Sequence, residues 1–373
     1  MIPFNRPFQA PNEAQLVRQA LDSGHISGDG PFTRQASQWL AQHFGPQAQV
    51  LLTTSGTHAL ELGVLLMGLG PQDEVVMPSF TFSSTANAVA LRGARLRFAD
   101  INPQTFSMGL AELQAACTEH TTAVVAMPYG GVSADMDQIA DWCRSRGLKF
   151  MEDNAHGLFA TLHDKPMGSF APVSALSFHQ TKNISCGEGG ALVLNDTALA
   201  QAAEIIREKG TDRSRFLRGE VDKYTWRQIG SSYLPSDILA AVLWAQLQCA
   251  QDIQRKRTAL WQTYRDALAP VAPELGIELQ HIPDGLQHPA HVFALLVPNA
   301  AARRDVLAAL RQHGVKATSH YEPLHQAPAH SGCEALPHTD TVASRLIRLP
   351  LYAQLPLADA QRVAEALITV LRG

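Results

Sequence analysis

The residues between Ser174 and Gly190 hold one lysine, Lys182, between an apolar run and the glycines Gly187, Gly189 and Gly190. A second apolar run, Ala191–Leu194, follows at once. Small polar side chains flank the lysine at Ser177, Thr181, Asn183 and Ser185. An amine between a strand end and a glycine turn suits a Schiff base with a carbonyl cofactor. The same residues also describe an ordinary exposed lysine in a loop. Three earlier strand ends carry matching chemistry. Thr54-Ser55-Gly56-Thr57 opens a helix, where free amides and two hydroxyls form a cup for phosphate or a simple N-cap. Phe82, just past another strand, offers a ring to stack on a flat cofactor or a side chain for the core. Glu152 and Asp153 end a third strand. A carboxylate there needs a positive partner, which a protonated pyridine nitrogen or a helix N-terminus would supply. In chain order, the cup, the aromatic, the aspartate and the lysine meet the requirements of pyridoxal 5′-phosphate.

These positions call for an alternation of strands and helices, and the chain supplies it. Strands are expected at Val50–Thr53, Glu74–Met77, Arg95–Asp100, Ala123–Met127 and Leu148–Glu152. Helices are expected at Thr57–Leu69, Ser83–Arg92, Gly109–Cys117 and Met136–Arg146. Such a pattern predicts an α/β fold with a mostly parallel sheet covered on both faces, whose ligands bind beyond the strands' carboxyl ends. From about Cys249 the character changes. Gln251–Leu268 reads as a charged helix, His291–Val297 as a strand, and Ala301–His313 and Leu357–Leu371 as helices. Residues 1–248 are therefore read as a large α/β domain with an N-terminal lead-in, and 249–373 as a smaller α+β domain.

Hydrophobic residues make up 46% of the chain and charged residues 17%, enough for a sizeable core. A net charge of −4 argues against general nucleic-acid binding. Five scattered cysteines (Cys117, Cys143, Cys186, Cys249 and Cys333), with no Cys-x-x-Cys, fit a reducing cytoplasm. No apolar run suggests a signal peptide or a membrane span. His320, His325, His330, Cys333 and His338 have irregular spacing interrupted by prolines, so no metal site is expected.

Taken together, these segments resemble the sugar aminotransferases of the DegT/StrS type over essentially the whole chain. The resemblance implies the aspartate-aminotransferase fold (fold type I), with a seven-stranded-type sheet, and pyridoxal 5′-phosphate as cofactor. It places Ser55, Gly56, Thr57 and Ser177 at the phosphate, Phe82 over the ring and Asp153 at the pyridine nitrogen. It puts His156 near the phenolic oxygen and Lys182 at the Schiff base, with Glu188-Gly189-Gly190 following as in the family. Ser232 stands where many members carry an Asn that reaches the neighbouring subunit's phosphate. A homodimer with shared active sites is implied. The segments Ile206–Thr211 and Lys223–Tyr233 resemble one subgroup, the dTDP-4-amino-4,6-dideoxygalactose transaminases of surface-polysaccharide pathways. So do Met1–Asn5 and His320–His325.

The stretch Arg207–Arg227 supports a nucleotide sugar independently. It carries seven basic and four acidic side chains, a net of +3, which suits a diphosphate or a solvated loop. Arg207, Arg213, His320, Tyr321 and His325 are the expected substrate residues. The expected reaction moves an amino group from L-glutamate to C4 of a nucleotide-linked 4-keto-6-deoxy sugar. Amination at C3, or another nucleotide sugar, is the alternative within the family. A sugar dehydratase ranks lower, because such relatives lack the Schiff-base lysine. A non-catalytic sugar-nucleotide binding homologue is opposed by the complete Asp153–Lys182 set.

Overall fold

The computed structural model describes every residue of the chain except Ser331 and Cys333. Seven strands build the main sheet: β1 (Gln49–Thr53), β2 (Glu74–Pro78), β3 (Arg95–Ala99), β4 (Thr121–Ala126), β5 (Lys149–Asp153), β6 (Val173–Ser177) and β7 (Gly190–Leu194). Their spatial order is β1-β7-β6-β5-β4-β2-β3. The strands from β3 to β6 run parallel, whereas β7 lies antiparallel to both β6 and β1. Parallel neighbours need crossover connections. The helices Gly56–Leu66, Ser83–Ala90, Leu110–Ala116 and Met136–Ser145 lie between the strands in sequence.

Burial follows the pleat. Val75 and Met77 pack with Leu60, Leu62 and Val89, while Val76, Val124 and Phe150 pack with Met136 and Ile139. β2 and β7 are buried along their whole length, as strands covered on both faces must be. Each element expected between Val50 and Leu194 is present, its ends displaced by a few residues at most. A small extra sheet of Thr161–Leu162, Lys165–Pro166 and Leu286–Gln287 was not expected, because two-residue strands carry no periodicity.

Buried side chains hold the frame in register. Asp237 accepts hydrogen bonds from the amides of Phe32 (3.2 Å) and Thr33 (2.8 Å) and from the Thr33 hydroxyl (2.7 Å). It thereby caps the helix Pro31–Phe44, whose first residue is a proline with no amide to satisfy. Glu152, one residue before the end of β5, accepts from the amides of Gly168, Phe170 and Ala171 at 2.7, 2.7 and 2.9 Å.

The C-terminal residues form a three-stranded antiparallel sheet of Glu278–Leu279, Phe293–Leu296 and Leu346–Leu349. Helices Ala250–Leu268, Ala300–Gln312 and Leu357–Arg372 supply its core, including Tyr264, Leu310 and Leu367. Ile2 joins this core from the other end of the chain, with its amide bonded to Gly314 O at 2.7 Å. We place the division of units at 248/249, between the helices Asp237–Gln248 and Ala250–Leu268, as a proposal. Among the described residues, no helix is long and apolar enough to cross a membrane.

Candidate active site

The loops beyond the carboxyl ends of β1, β2, β4, β5 and β6 meet at a cavity of about 450 Å³. Its first wall is the start of helix Gly56–Leu66. Ser55 is the N-cap, its Oγ accepting from the His58 amide at 3.1 Å, and it also lines the cavity. The amides of Gly56 and Thr57 have no acceptor among the described residues, so two donors and the helix dipole face the cavity. Gly56 sits against Ser177, where an added Cβ would lie 2.7 Å from the Ser177 Cβ. Gly190 is closer still, its added Cβ falling 2.3 Å from the Ser55 carbonyl oxygen. Glycine is therefore required where the cup and the lysine loop touch.

Between β6 and β7 the chain folds back on itself. Phe178 N–H bonds to Gly189 O and Gln180 N–H to Gly187 O, at 2.8 and 2.9 Å. Lys182 emerges from this turn, half-buried, and lines the cavity. Burial pushes its amine down to about 8, against the pull of Asp153 and with a further push from Arg348. Next to it, Asn183 donates to Pro289 O at 2.8 Å and meets His291 Nδ1 at 2.8 Å, tying the lysine loop to the chain beyond residue 249.

Asp153 ends β5 and lines the same cavity. It accepts from Thr85 Oγ1 at 2.6 Å and from the Ala155 amide at 3.2 Å. Burial raises its carboxyl above the ordinary range, while Thr85, Ala155 and Lys182 pull the other way. The Gly130 amide donates to His156 Nδ1 at 3.2 Å, so the neutral ring carries its proton on Nε2, which lies 3.0 Å from Tyr321 Oη. His156 therefore donates to Tyr321, and the phenol is left with its own proton to donate. Burial and the nearby cations Lys182 and Arg348 keep His156 neutral. Phe82 is 56% exposed at the cavity edge, 6.0 Å from the Tyr321 ring, which removes it from the core.

Of the residues singled out in the sequence, Ser55, Gly56, Thr57, Phe82, Asp153, His156, Ser177, Lys182, His320 and Tyr321 all line this cavity. Four do not. Arg207 is buried, and its Nη2 bonds both carboxylate oxygens of Asp29 at 2.7 and 2.8 Å. A guanidinium already engaged in this way offers no fork to a diphosphate. His325 is buried against Ser79 Oγ at 2.7 Å and Asp340 at 3.2 Å. Arg213 pairs with Glu208 at 3.7 Å, and Ser232 is exposed, bridged to Glu208 through the backbone. Cys333 lies outside the described residues, while His330 bonds Glu334 at 2.8 Å.

Sequence reasoning missed Thr85, His291, Arg348 and Phe4. The one signal for Arg348 was a charge inside the apolar run Leu346–Leu349. Thr85 gave none, and Phe4 gave only its place in the subgroup-like segment Met1–Asn5.

The residues present fit pyridoxal 5′-phosphate: two amides without an acceptor and neighbouring hydroxyls for a phosphate, a carboxylate for a ring nitrogen, an amine of lowered pKa, and an edge aromatic. The model of the DegT/DnrJ/EryC1/StrS aminotransferase family matches residues 8–368. This chain belongs to that family. The aminotransferase is 31% identical to the spore coat polysaccharide biosynthesis protein SpsC of Bacillus subtilis (strain 168), over 100% of this chain and 97% of SpsC. Among solved structures it is similar to the aminotransferase TlmJ from Streptoalloteichus hindustanus, with 29% identity, a TM-score of 0.91, and 100% and 99% of the two chains covered. It is also similar to NtdA from Bacillus subtilis, solved with bound cofactor PMP. There the identity is 27% and the TM-score 0.85, with 97% of this aminotransferase and 83% of NtdA covered.

Proposed function

We propose that this aminotransferase moves an amino group from L-glutamate to C4 of a nucleotide-linked 4-keto-6-deoxy sugar. The specific conversion proposed takes dTDP-4-keto-6-deoxyglucose to dTDP-4-amino-4,6-dideoxygalactose. The observation that carries the chemistry is the enclosure of Lys182 and Asp153 in one cavity with an unpaired phosphate cup. The sugar specificity is supported by the subgroup-like segments Ile206–Thr211, Lys223–Tyr233 and His320–His325. The relation to a spore coat polysaccharide biosynthesis protein agrees with a sugar substrate.

When bound, pyridoxal 5′-phosphate carries the amino group and accepts the electron pair left at the reacting carbon. The amides of Gly56 and Thr57, with the hydroxyls of Ser55, Thr57 and Ser177, would hold its phosphate. Asp153 would hold the proton on its ring nitrogen, with Thr85 fixing the carboxylate. Lys182 would attach the cofactor and, once released as an amine of lowered pKa, would move the proton at the reacting carbon. Tyr321, supplied by His156 with a donor to its oxygen, keeps its own hydroxyl proton for a partner in the cavity.

The protein is further proposed to act as a homodimer in the cytoplasm. Phe216, Leu217, Tyr224, Trp226 and Ile229 are exposed together on the segment from 213 to 231, which supports burial against a second copy. The deciding experiment is NMR analysis of the product after incubation with dTDP-4-keto-6-deoxyglucose and L-glutamate. The expected product has an axial C4 amine, as in galactose. Unchanged keto sugar with cofactor bound, or an amine at C3, would overturn the assignment.

A further inference from the structure

The tip of the lysine loop is held from outside by one residue. Among the described residues, the hydrogen bonds from residues 181–186 to chain outside the loop are those of Asn183. Its Nδ2 donates to Pro289 O at 2.8 Å. A carbonyl only accepts, so the amide nitrogen faces Pro289 and Oδ1 faces His291 Nδ1, also at 2.8 Å. His291 Nδ1 must therefore carry the proton. Burial first, and then His156, Lys182, Arg257 and Arg348, keep the ring neutral, which leaves Nε2 bare. The backbone of His291 is itself fixed at a cost. Ala290 holds a φ of 47°, which alanine rarely adopts. Arg257 is buried, donates to Ala290 O at 3.0 Å and to His291 O at 2.7 Å, and pairs with no carboxylate among the described residues. A desolvated guanidinium and a left-handed alanine converge on one histidine, which is more than a space-filling ring requires.

We propose that His291 is a positioning residue for Lys182, its Nδ1–H holding Asn183 and, through Asn183, the tip of the lysine loop; this rests on the reading of Lys182 as the cofactor's point of attachment. Lys182 would be released from the cofactor and attached again in every cycle. While that bond is absent the loop tip needs another tie, and the one between Asn183 and His291 does not depend on the cofactor. The tie is also directional. It needs a donor at the Nδ1 position of residue 291, because Pro289 has already fixed which end of the Asn183 amide faces the ring. A ring that only filled space would work in either tautomer, and any polar replacement of similar size would serve.

Two amide replacements provide the test. His291→Asn puts its amide nitrogen where Nδ1 stands, and His291→Gln puts it near Nε2. Uptake of pyridoxal 5′-phosphate by the cofactor-free protein, which requires Lys182, is followed by stopped-flow absorbance. Calorimetry measures the affinity for pyridoxamine 5′-phosphate, which has an amine in place of the aldehyde and forms no bond with a lysine. His291→Asn should take up pyridoxal 5′-phosphate within about threefold of the parental rate, and His291→Gln about tenfold or more slowly. Affinity for pyridoxamine 5′-phosphate should stay within about threefold in both. Equal slowing of the two variants overturns the proposal, and so does parental uptake by His291→Gln. A parallel loss of pyridoxamine 5′-phosphate affinity also overturns it, since the defect would then lie in the cup and not in the lysine. A neutron structure of the parent decides the point without either variant. It should show a proton on His291 Nδ1, and a proton on Nε2 with Nδ1 bare overturns the tie. If the parent itself takes up no pyridoxal 5′-phosphate at Lys182, the aminotransferase reading has failed instead, and the neutron structure still decides whether His291 holds Asn183.

Discussion

Thr85 Oγ1 and Asp153 Oδ2 lie 2.6 Å apart in a buried wall, where a donor to an ionised oxygen is worth most. Thr85→Val keeps a similar shape and removes the donor. A hydrogen bond to the ionised form lowers a carboxyl's pKa, so its loss raises it. The acid limb of kcat/KM should therefore move to higher pH, with kcat down about tenfold, ~1.4 kcal/mol of barrier. Asp153→Asn should cost about a hundredfold or more. A Thr85→Val profile matching the parent's would reduce Thr85 to helix packing. Lys182 gives a second prediction. Its amine, lowered to about 8, loses its proton as pH rises through that value. The free-amine fraction climbs from about a tenth at pH 7 to about a half at pH 8. Cofactor-free protein should take up pyridoxal 5′-phosphate about fivefold faster at pH 8 than at pH 7, levelling above about pH 9. Stopped-flow absorbance measures this, and a rate flat from pH 7 to 9 would point to another amine.

β7 and helix Gly56–Leu66 meet at Gly190, whose added Cβ would fall 2.3 Å from the Ser55 carbonyl oxygen. Gly190→Ala must push the cup from the lysine loop, at a cost of about 1–3 kcal/mol in unfolding free energy. Cofactor affinity should weaken at least about tenfold, read as bleaching on dialysis. Retention equal to the parent's would mean that the two elements adjust independently. The same elements show why part of the site was legible. β5 and β6 are apolar runs that end abruptly in Asp153 and in the polar approach to Lys182, so chemistry and strand end coincide in the sequence. Partnerships across long separations were not legible. Arg207 counted as a free cation until the fold brought Asp29 to it, and His325 as a pocket residue until Ser79 took it. Arg348 was passed over because an arginine in an apolar strand acquires meaning only from the cavity it lines. Phe4 sits in a lead-in with no periodicity to mark it.

At the scale of the whole molecule, Ser232 and the exposed aromatics after Arg213 do not line the cavity of their own chain, and in the proposed homodimer a second copy would cover them. Mixed dimers test this. Lys182→Ala chains and Ser232→Trp chains, each inactive alone, should recover about a quarter of parental activity after subunit exchange at equal concentrations, since half of the molecules are mixed and each has one intact site. No recovery after proven exchange would place the segment's role within its own chain. Another consequence follows from β1, whose one neighbour in the sheet is β7, about 140 residues further on. Ile2, likewise, bonds to Gly314. On a ribosome adding roughly 5–20 residues per second, β1 leaves the exit tunnel and then waits on the order of ten seconds for its partner strand. Through that interval its apolar run Val50–Leu52 has an unpaired edge, the kind that neighbouring nascent chains or a holding chaperone would grasp. The part of the chain made first is thus among the last to be secured, and synthesis itself, more than the finished enzyme, is when this protein is most open to aggregation and proteolysis.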